Sequence, residues 1–117
     1  MPGIRWLLKS KIHRAPVTKA DLDYIGSVSI DEDLLDASEI STWERVHVVD
    51  VTNGARLDTY AIKAPRGSGE IQINGAAAHL IHPGDKVIIM TYEGIDKSQI
   101  KNHTPTIIHV NDDNKII

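Results

Sequence analysis

Apolar and polar residues alternate with a period of two over most of this chain, and the apolar positions are mainly Ile, Val and Leu. That period places successive side chains on opposite faces of a strand. Ile4 to Ala15 alternates loosely, with Lys9, Lys11, His13 and Arg14 forming a basic face, and Pro16 closes it or places it on an edge. Thr18 to Asp21 has a short capping pattern, which predicts a single helical turn before Tyr24. Ser27 to Ile30 reads as a short strand. Asp31 to Ala37, with an acid at the N-cap and paired leucines, reads as a short helix whose acidic first turn is solvated. Trp43 to Val51 and Leu57 to Ile62 are two arms of a hairpin around Asn53-Gly54. Pro65 to Gly69 is a loop, and Glu70 to Ile73 is a strand. Asn74-Gly75 then opens a helical turn over Ala76 to Leu80. Pro83 to Asp85 is a turn, Lys86 to Tyr92 a buried strand, and Thr106 to Val110 a last strand before a polar turn and a frayed end. Many short strands joined by brief helical turns predict a mainly β fold, a small barrel.

Composition narrows this picture. The chain has 117 residues and no internal repeat or linker, so one domain is expected. Phenylalanine is absent, so aliphatic side chains must fill the core, and their β-branched bias favours strands. A formal charge of -3 argues against a general nucleic-acid binder. Without cysteine there can be no disulfide, thiolate zinc site or cysteine nucleophile. The apolar run Ile4 to Leu8 is interrupted by Arg5 and is too short for a signal peptide or a membrane span, so a cytoplasmic location is expected. The six histidines, among them His79, His82, His103 and His109, show no zinc spacing, and no metal is expected.

The candidate chemistry begins at Gly26-Ser27. Glycine permits φ > 0 and close backbone approach, and a serine after it can turn its hydroxyl on the preceding carbonyl. By itself such a pair is usually a turn before a strand. Around it, however, stand Lys11-Ile12-His13-Arg14, Val17-Thr18, Ala20-Asp21-Leu22 and Tyr24. Farther on come VTNGARLDTYAI (Val51 to Ile62), RGS (Arg66 to Ser68), INGAAAH (Ile73 to His79) and PGDKVIIM (Pro83 to Met90). In this order and spacing, from about Ile4 to Met90, the chain resembles the aspartate 1-decarboxylases, pyruvoyl-dependent enzymes that make β-alanine. The tail after Tyr92 matches weakly. Many members have Trp and Asn where this chain has Val49 and Asp50.

The resemblance implies a double-psi β-barrel that assembles as a homotetramer with active sites between subunits. It implies self-cleavage between Gly26 and Ser27 into a chain of residues 1–26 and a pyruvoyl chain of residues 27–117, with no metal and no pyridoxal phosphate. Ser27 becomes the pyruvoyl group that forms a Schiff base with L-aspartate. Thr59 serves as donor to the oxyanion of processing and touches substrate, and Tyr60 is the proton donor of turnover. Arg56 and Lys11 hold the carboxylates of aspartate. His13 and Tyr24 order the processing site. Asn74 and the backbone of Gly75, Ala76 and Ala77 line the pocket, where a helix start favours an anion. The product, β-alanine, supplies pantothenate and coenzyme A biosynthesis. No nucleic acid or membrane partner is implied. The residues leave open whether a helper protein assists maturation.

Without these motifs each residue has a plainer reading: a strand threonine or tyrosine, a solvated hairpin arginine, an edge-strand lysine, an Asn-Gly turn. The competing function is a non-enzymatic double-psi barrel used for binding, since a fold alone does not choose a function. Such a module has no need of Gly26-Ser27 together with Arg56, Thr59 and Tyr60.

Overall fold

The strands of the chain are β1 (Ile4–Pro16), β2 (Lys19–Asp21), β3 (Ser27–Asp31), β4 (Arg45–Asp50), β5 (Arg56–Ala64), β6 (Ile71–Asn74), β7 (Lys86–Asp96) and β8 (Thr106–His109). They form one sheet in the order β2-β6-β3-β5-β4-β7-β1-β8. This is a computed structural model, and it describes residues 3–117. β1 and β2 are joined by only Val17 and Thr18, yet β2 is one edge of the sheet and β1 lies beside the other. The sheet must therefore curl back on itself, as the expected small barrel requires. The Thr18 N–H seals the junction by donating to the Ile71 carbonyl at 2.9 Å, and Val17 N–H does so to Asp85 at 2.8 Å.

The core is the inward half of the alternation. Ile12, Val28, Ile30, Val46, Val48, Ala61, Ile71, Ile73, Val87 and Ile89 are all buried together. Branched side chains suit these positions because χ1 is already restricted on a strand, so packing costs little rotamer freedom. The α-helix α1 (Glu32–Ser38) adds Leu34 and Leu35 to this core. Asp31 caps it, as expected, and its carboxylate also accepts the N–H groups of Gly67 at 2.9 Å and Gly69 at 2.8 Å. Burial would raise the Asp31 pKa, but the N–H donors of Gly69, Asp33 and Gly67, with Lys115 nearby, outweigh it and hold the group below its ordinary value.

Four expectations need correction. Lys19 to Asp21 is a strand rather than a helical turn, because its backbone completes a parallel ladder with Gln72, Ile73 and Asn74. The acids of α1 are not simply solvated: Arg66 reaches Asp33 at 2.6 Å, Asp36 at 2.8 Å and Glu32 at 3.4 Å. β7 continues past Tyr92 to Asp96, paired along β1, and a 3-10 helix (Lys97–Asn102) follows that no periodicity announced. The end is not frayed. Val110 bridges Ile116, the Ile117 N–H donates to His109, and buried Asn114 donates to the carbonyls of Pro16 and Gly69.

Candidate active site

Three adjacent strands, β6, β3 and β5, carry Asn74, Ser27 and Tyr60 on one face. Ser27 pairs directly with Asn74 across β3 and β6. In the parallel β3–β5 pair Val28 faces Ala61, so continuing that register back by one residue brings Tyr60 abreast of Ser27, and by two brings Thr59 abreast of Gly26. Val28 and Ala61 point into the core. Ser27 and Tyr60, one residue earlier on their strands, therefore point to the opposite, outward face. Arg56 shares that face of β5, and its register with β4 runs without a bulge from Arg56 to Tyr60.

Ser27 itself is buried, whereas Leu22 to Gly26 just before it are exposed. The Gly26-Ser27 bond thus lies where an open loop enters the sheet. Ser27 Oγ donates to the Ile25 carbonyl at 3.0 Å and accepts from Asn74 Nδ2 at 3.0 Å. The same Asn74 nitrogen donates to Ser29 Oγ at 3.0 Å, and Asn74 Oδ1 accepts from Gln72 Nε2 at 2.7 Å. Asn74 is fully buried, so each of these bonds has a definite geometry and no competing water.

The left-handed glycine of this junction is Gly75, at φ +74°; Gly26 does not have a positive φ. A Cβ on Gly75 would lie 2.7 Å from Gly26 Cα and 2.9 Å from Gly26 N, whereas a Cβ on Gly26 would meet nothing within 4 Å. Close backbone approach at the Gly26-Ser27 bond is therefore the property of Gly75, seated against the loop. Gly75 opens a 3-10 helix (Gly75–His79) of one turn and a half, in which Ala76 is exposed and Ala77 half-buried. So short a helix has little macrodipole; what it offers is the N–H groups of its first turn, which lack acceptors within the helix.

The other candidates sit elsewhere. Tyr24 is exposed in the loop, and its carbonyl borders Gly75. Thr59 is half-buried and makes no side-chain hydrogen bond among the described residues. Tyr60 stacks on Trp43, ring centroids 5.5 Å apart and planes inclined by 25°. Lys11 and His13 lie on β1, three strands from β5, a separation of about 14 Å at ordinary strand spacing. His13 packs edge-on against His109 at 5.4 Å, and its buried Nδ1 has no hydrogen-bond partner among the described residues. Burial lowers the His13 pKa below its ordinary value, and Lys11, His109 and Arg14 lower it further. A bulge shifts the β1–β7 register between Ile12 and Ala15, with φ +58° at Arg14, and accompanies this cluster.

Arg56 opens onto a groove of about 760 Å³ across β1, β7, β4 and β5, lined with Trp6, His47, Tyr92 and Leu57. Arg45 in this groove is held by Asp58, whereas Arg56 has no salt bridge among the described residues. The groove contains neither Ser27 nor Lys11. Sequence reasoning missed two features of this neighbourhood. Trp43 was only the start of a strand, yet it is a left-handed residue at φ +77° stacked on Tyr60. Ser29 shares the Asn74 amide, which the i, i+2 spacing from Ser27 could have revealed.

A small mainly β barrel with a buried serine after an open loop, bonded to a buried amide, has the makings of an enzyme site on its outer wall. The aspartate decarboxylase family model matches residues 4–117, and the chain belongs to that family. Its activity is that of an aspartate 1-decarboxylase, a carboxy-lyase acting on L-aspartate.

Proposed function

We propose that the chain matures by cutting its own Gly26-Ser27 bond and then converts L-aspartate to β-alanine and CO2 with a pyruvoyl group made from Ser27. The observation that carries this reading is the contact of Ser27 Oγ with Asn74 Nδ2 beside the glycine-on-glycine packing of Gly75 and Gly26. In the uncleaved chain, Ser27 Oγ leaves the Ile25 carbonyl and attacks the Gly26 carbonyl carbon, and the Ser27 nitrogen departs in an N-to-O acyl shift. Thr59, abreast of Gly26 in the register, is the donor on hand for the oxyanion. Loss of the Ser27 α-proton then breaks the Cβ–Oγ bond, and Oγ leaves as part of the Gly26 carboxylate. Asn74 Nδ2 already donates to that oxygen and so favours the charge it acquires. The dehydroalanine left at position 27 adds water and loses ammonia to give the pyruvoyl group.

The residues present fit this group: a buried position, a fixed amide donor, and a cradle at Gly75 that a Cβ would fill. In turnover the pyruvoyl ketone supplies an electron sink for the pair released with CO2. The protein's own side chains do the rest. Arg56 holds a carboxylate with its planar fork and Lys11 supplies a second cation. Tyr60, on the outward face abreast of position 27, delivers the proton to the substrate carbon.

The separation of these groups favours sites shared between subunits. Arg56 is four residues along β5 from Tyr60, about 13 Å, and Lys11 is three strands away. A neighbouring copy can bring them to Ser27, and the exposed Trp6 (74%) and Tyr92 (44%) of the groove offer apolar surface for it to cover. A homotetramer in the cytoplasm, feeding pantothenate and coenzyme A synthesis, completes this reading. Mass spectrometry tests it. Two chains should appear, one ending at Gly26 and one lighter by an ammonia than a peptide beginning at Ser27. Ser27→Ala should stay whole and inactive. Intact Ser27 protein that makes β-alanine would refute the reading.

A further inference from the structure

Trp43 has a conformation that its side chain does not favour. A bulky residue at φ +77° brings Cβ against its own carbonyl, and local stability alone would place glycine or asparagine there. Its indole is 72% exposed, so burial of the ring does not offset the strain. The turn that carries it is nevertheless firmly fixed. Trp43 N–H donates to the Ala61 carbonyl at 2.7 Å, and Ala61 N–H donates to the Glu44 carbonyl at 2.9 Å. Glu44 is in turn held by Lys9 Nζ at 2.7 Å and by the Ser41 N–H at 2.9 Å. Two backbone bonds thus clamp residues 43 and 44 around Ala61, the residue that follows Tyr60. The indole is left lying almost parallel to the Tyr60 ring, at 5.5 Å.

We propose that Trp43 is a positioning residue for decarboxylation, holding the Tyr60 ring so that its hydroxyl stays aimed along the outer face towards position 27. This rests on the reading of Tyr60 as proton donor. A tyrosine on the outer wall of a barrel has few neighbours to fix χ1 and χ2, and a donor that wanders delivers its proton less often. A parallel aromatic plate restricts the swing of the ring and leaves the hydroxyl edge free. Backbone strain concentrated at a residue that touches only Tyr60 among the aromatic rings is explained by this role.

The test uses the full chain, processed and with its pyruvoyl content measured by mass, as Trp43→Gly, Trp43→Phe, Tyr60→Phe and the double variant Trp43→Gly/Tyr60→Phe. Trp43→Gly relieves the backbone, so Tm should hold or rise. Its kcat should nevertheless fall about tenfold with KM changed less than about twofold, the mark of a group needed in the transition state alone. Trp43→Phe should recover most of that loss. In protein with labelled tyrosine rings, the NMR resonances of Tyr60 should move downfield in Trp43→Gly as the shielding of the indole is lost. In the Tyr60→Phe background, Trp43→Gly should lower kcat no further. An unchanged kcat in Trp43→Gly, or an equal fall in both backgrounds, overturns the proposal. If Tyr60→Phe itself retains full kcat, the reading of Tyr60 as donor fails and this role fails with it. If Tyr60→Phe loses kcat and Trp43→Gly does not, only the role of Trp43 fails.

Discussion

Asn74 Nδ2 donates to Ser27 Oγ and to Ser29 Oγ, each at 3.0 Å, so one buried amide ties the candidate nucleophile to the strand that follows it. The amide has a second consequence when the Cβ–Oγ bond breaks, because that oxygen becomes part of a carboxylate. Asn74→Ala should therefore slow self-cleavage by about tenfold to a hundredfold, the loss typical of one donor to a developing anion. The measurement is the fraction of chain cut against time by mass spectrometry. Asn74→Asp, which keeps the size but cannot donate, should be slow as well. Cleavage at the parent rate in both variants would remove Asn74 from the processing step.

Gly75 gives a steric prediction at the same junction. A methyl at this position would lie 2.7 Å from Gly26 Cα and 2.9 Å from Gly26 N, and these are backbone atoms that a side-chain rotation cannot clear. The φ of +74° adds a penalty of about 1 kcal/mol for any residue but glycine. Gly75→Ala should push the Leu22–Gly26 loop outward and leave the chain largely uncut, with a Tm lower by several degrees. Prompt cleavage in Gly75→Ala would mean that the loop position does not matter to the scissile bond.

A pH prediction comes from Asp50, a fully buried acid. Its Oδ1 accepts the N–H groups of Thr52 at 2.8 Å and Asn53 at 3.3 Å, which shapes the Asn53-Gly54 hairpin. Its Oδ2 has no donor among the described residues, and the carboxyl that faces it is that of Asp85. Burial, and the neighbouring Asp85, raise the Asp50 pKa, while the hydrogen bond with Asp50 lowers that of Asp85. A raised carboxyl pKa contributes stability that is full below the unfolded value of about 3.9 and is lost as pH rises through the folded value. An asparagine side chain donates at this position without a charge, so Asp50→Asn should be more stable than the parent at pH 7 by about 1 kcal/mol, with the gap closing towards pH 4. Thermal unfolding across that range checks it. A gap that widens on acidification would show that Asp50 is ionised in the fold.

Strand positions were legible because the pattern is local: alternation marks Val46 and Val48 as core as plainly as it marks Asn53-Gly54 as a turn. Lys19–Asp21 was not legible, since three residues become a strand only through Gln72 to Asn74, some fifty positions away. The same limit applies to the tail, whose anchor Asn114 binds Pro16 and Gly69. Within the candidate site, motif spacing singled out Ser27, Asn74 and Tyr60 as candidates, and the sheet carries these three on adjacent strands. It could not identify Trp43, because a tryptophan beginning a strand-like run gives no local sign of a left-handed backbone.

The last prediction separates two arginines that share one groove. Arg45 lies against Asp58 in an ion pair, whereas Arg56, on the same wall, has no carboxylate bound among the described residues. A free guanidinium fork is available to an incoming dicarboxylate, and a paired one is already engaged. Arg56→Lys keeps the charge and loses the planar fork, so aspartate binding should weaken by about 1.5–3 kcal/mol, roughly tenfold to a hundredfold in KM. Arg45→Lys should alter KM less than about threefold, since an exposed pair with Asp58 contributes little. Tyr60→Phe should behave differently from both, lowering kcat by about 10²–10⁴-fold with little change in KM, as loss of a general acid does. All three proteins must first be shown by mass to be fully cleaved, so that a fall in activity reports turnover and not maturation. Steady-state β-alanine production over a range of aspartate concentrations then gives each constant. If Arg45→Lys raises KM as much as Arg56→Lys does, the groove binds substrate through its general positive charge and Arg56 has no special role.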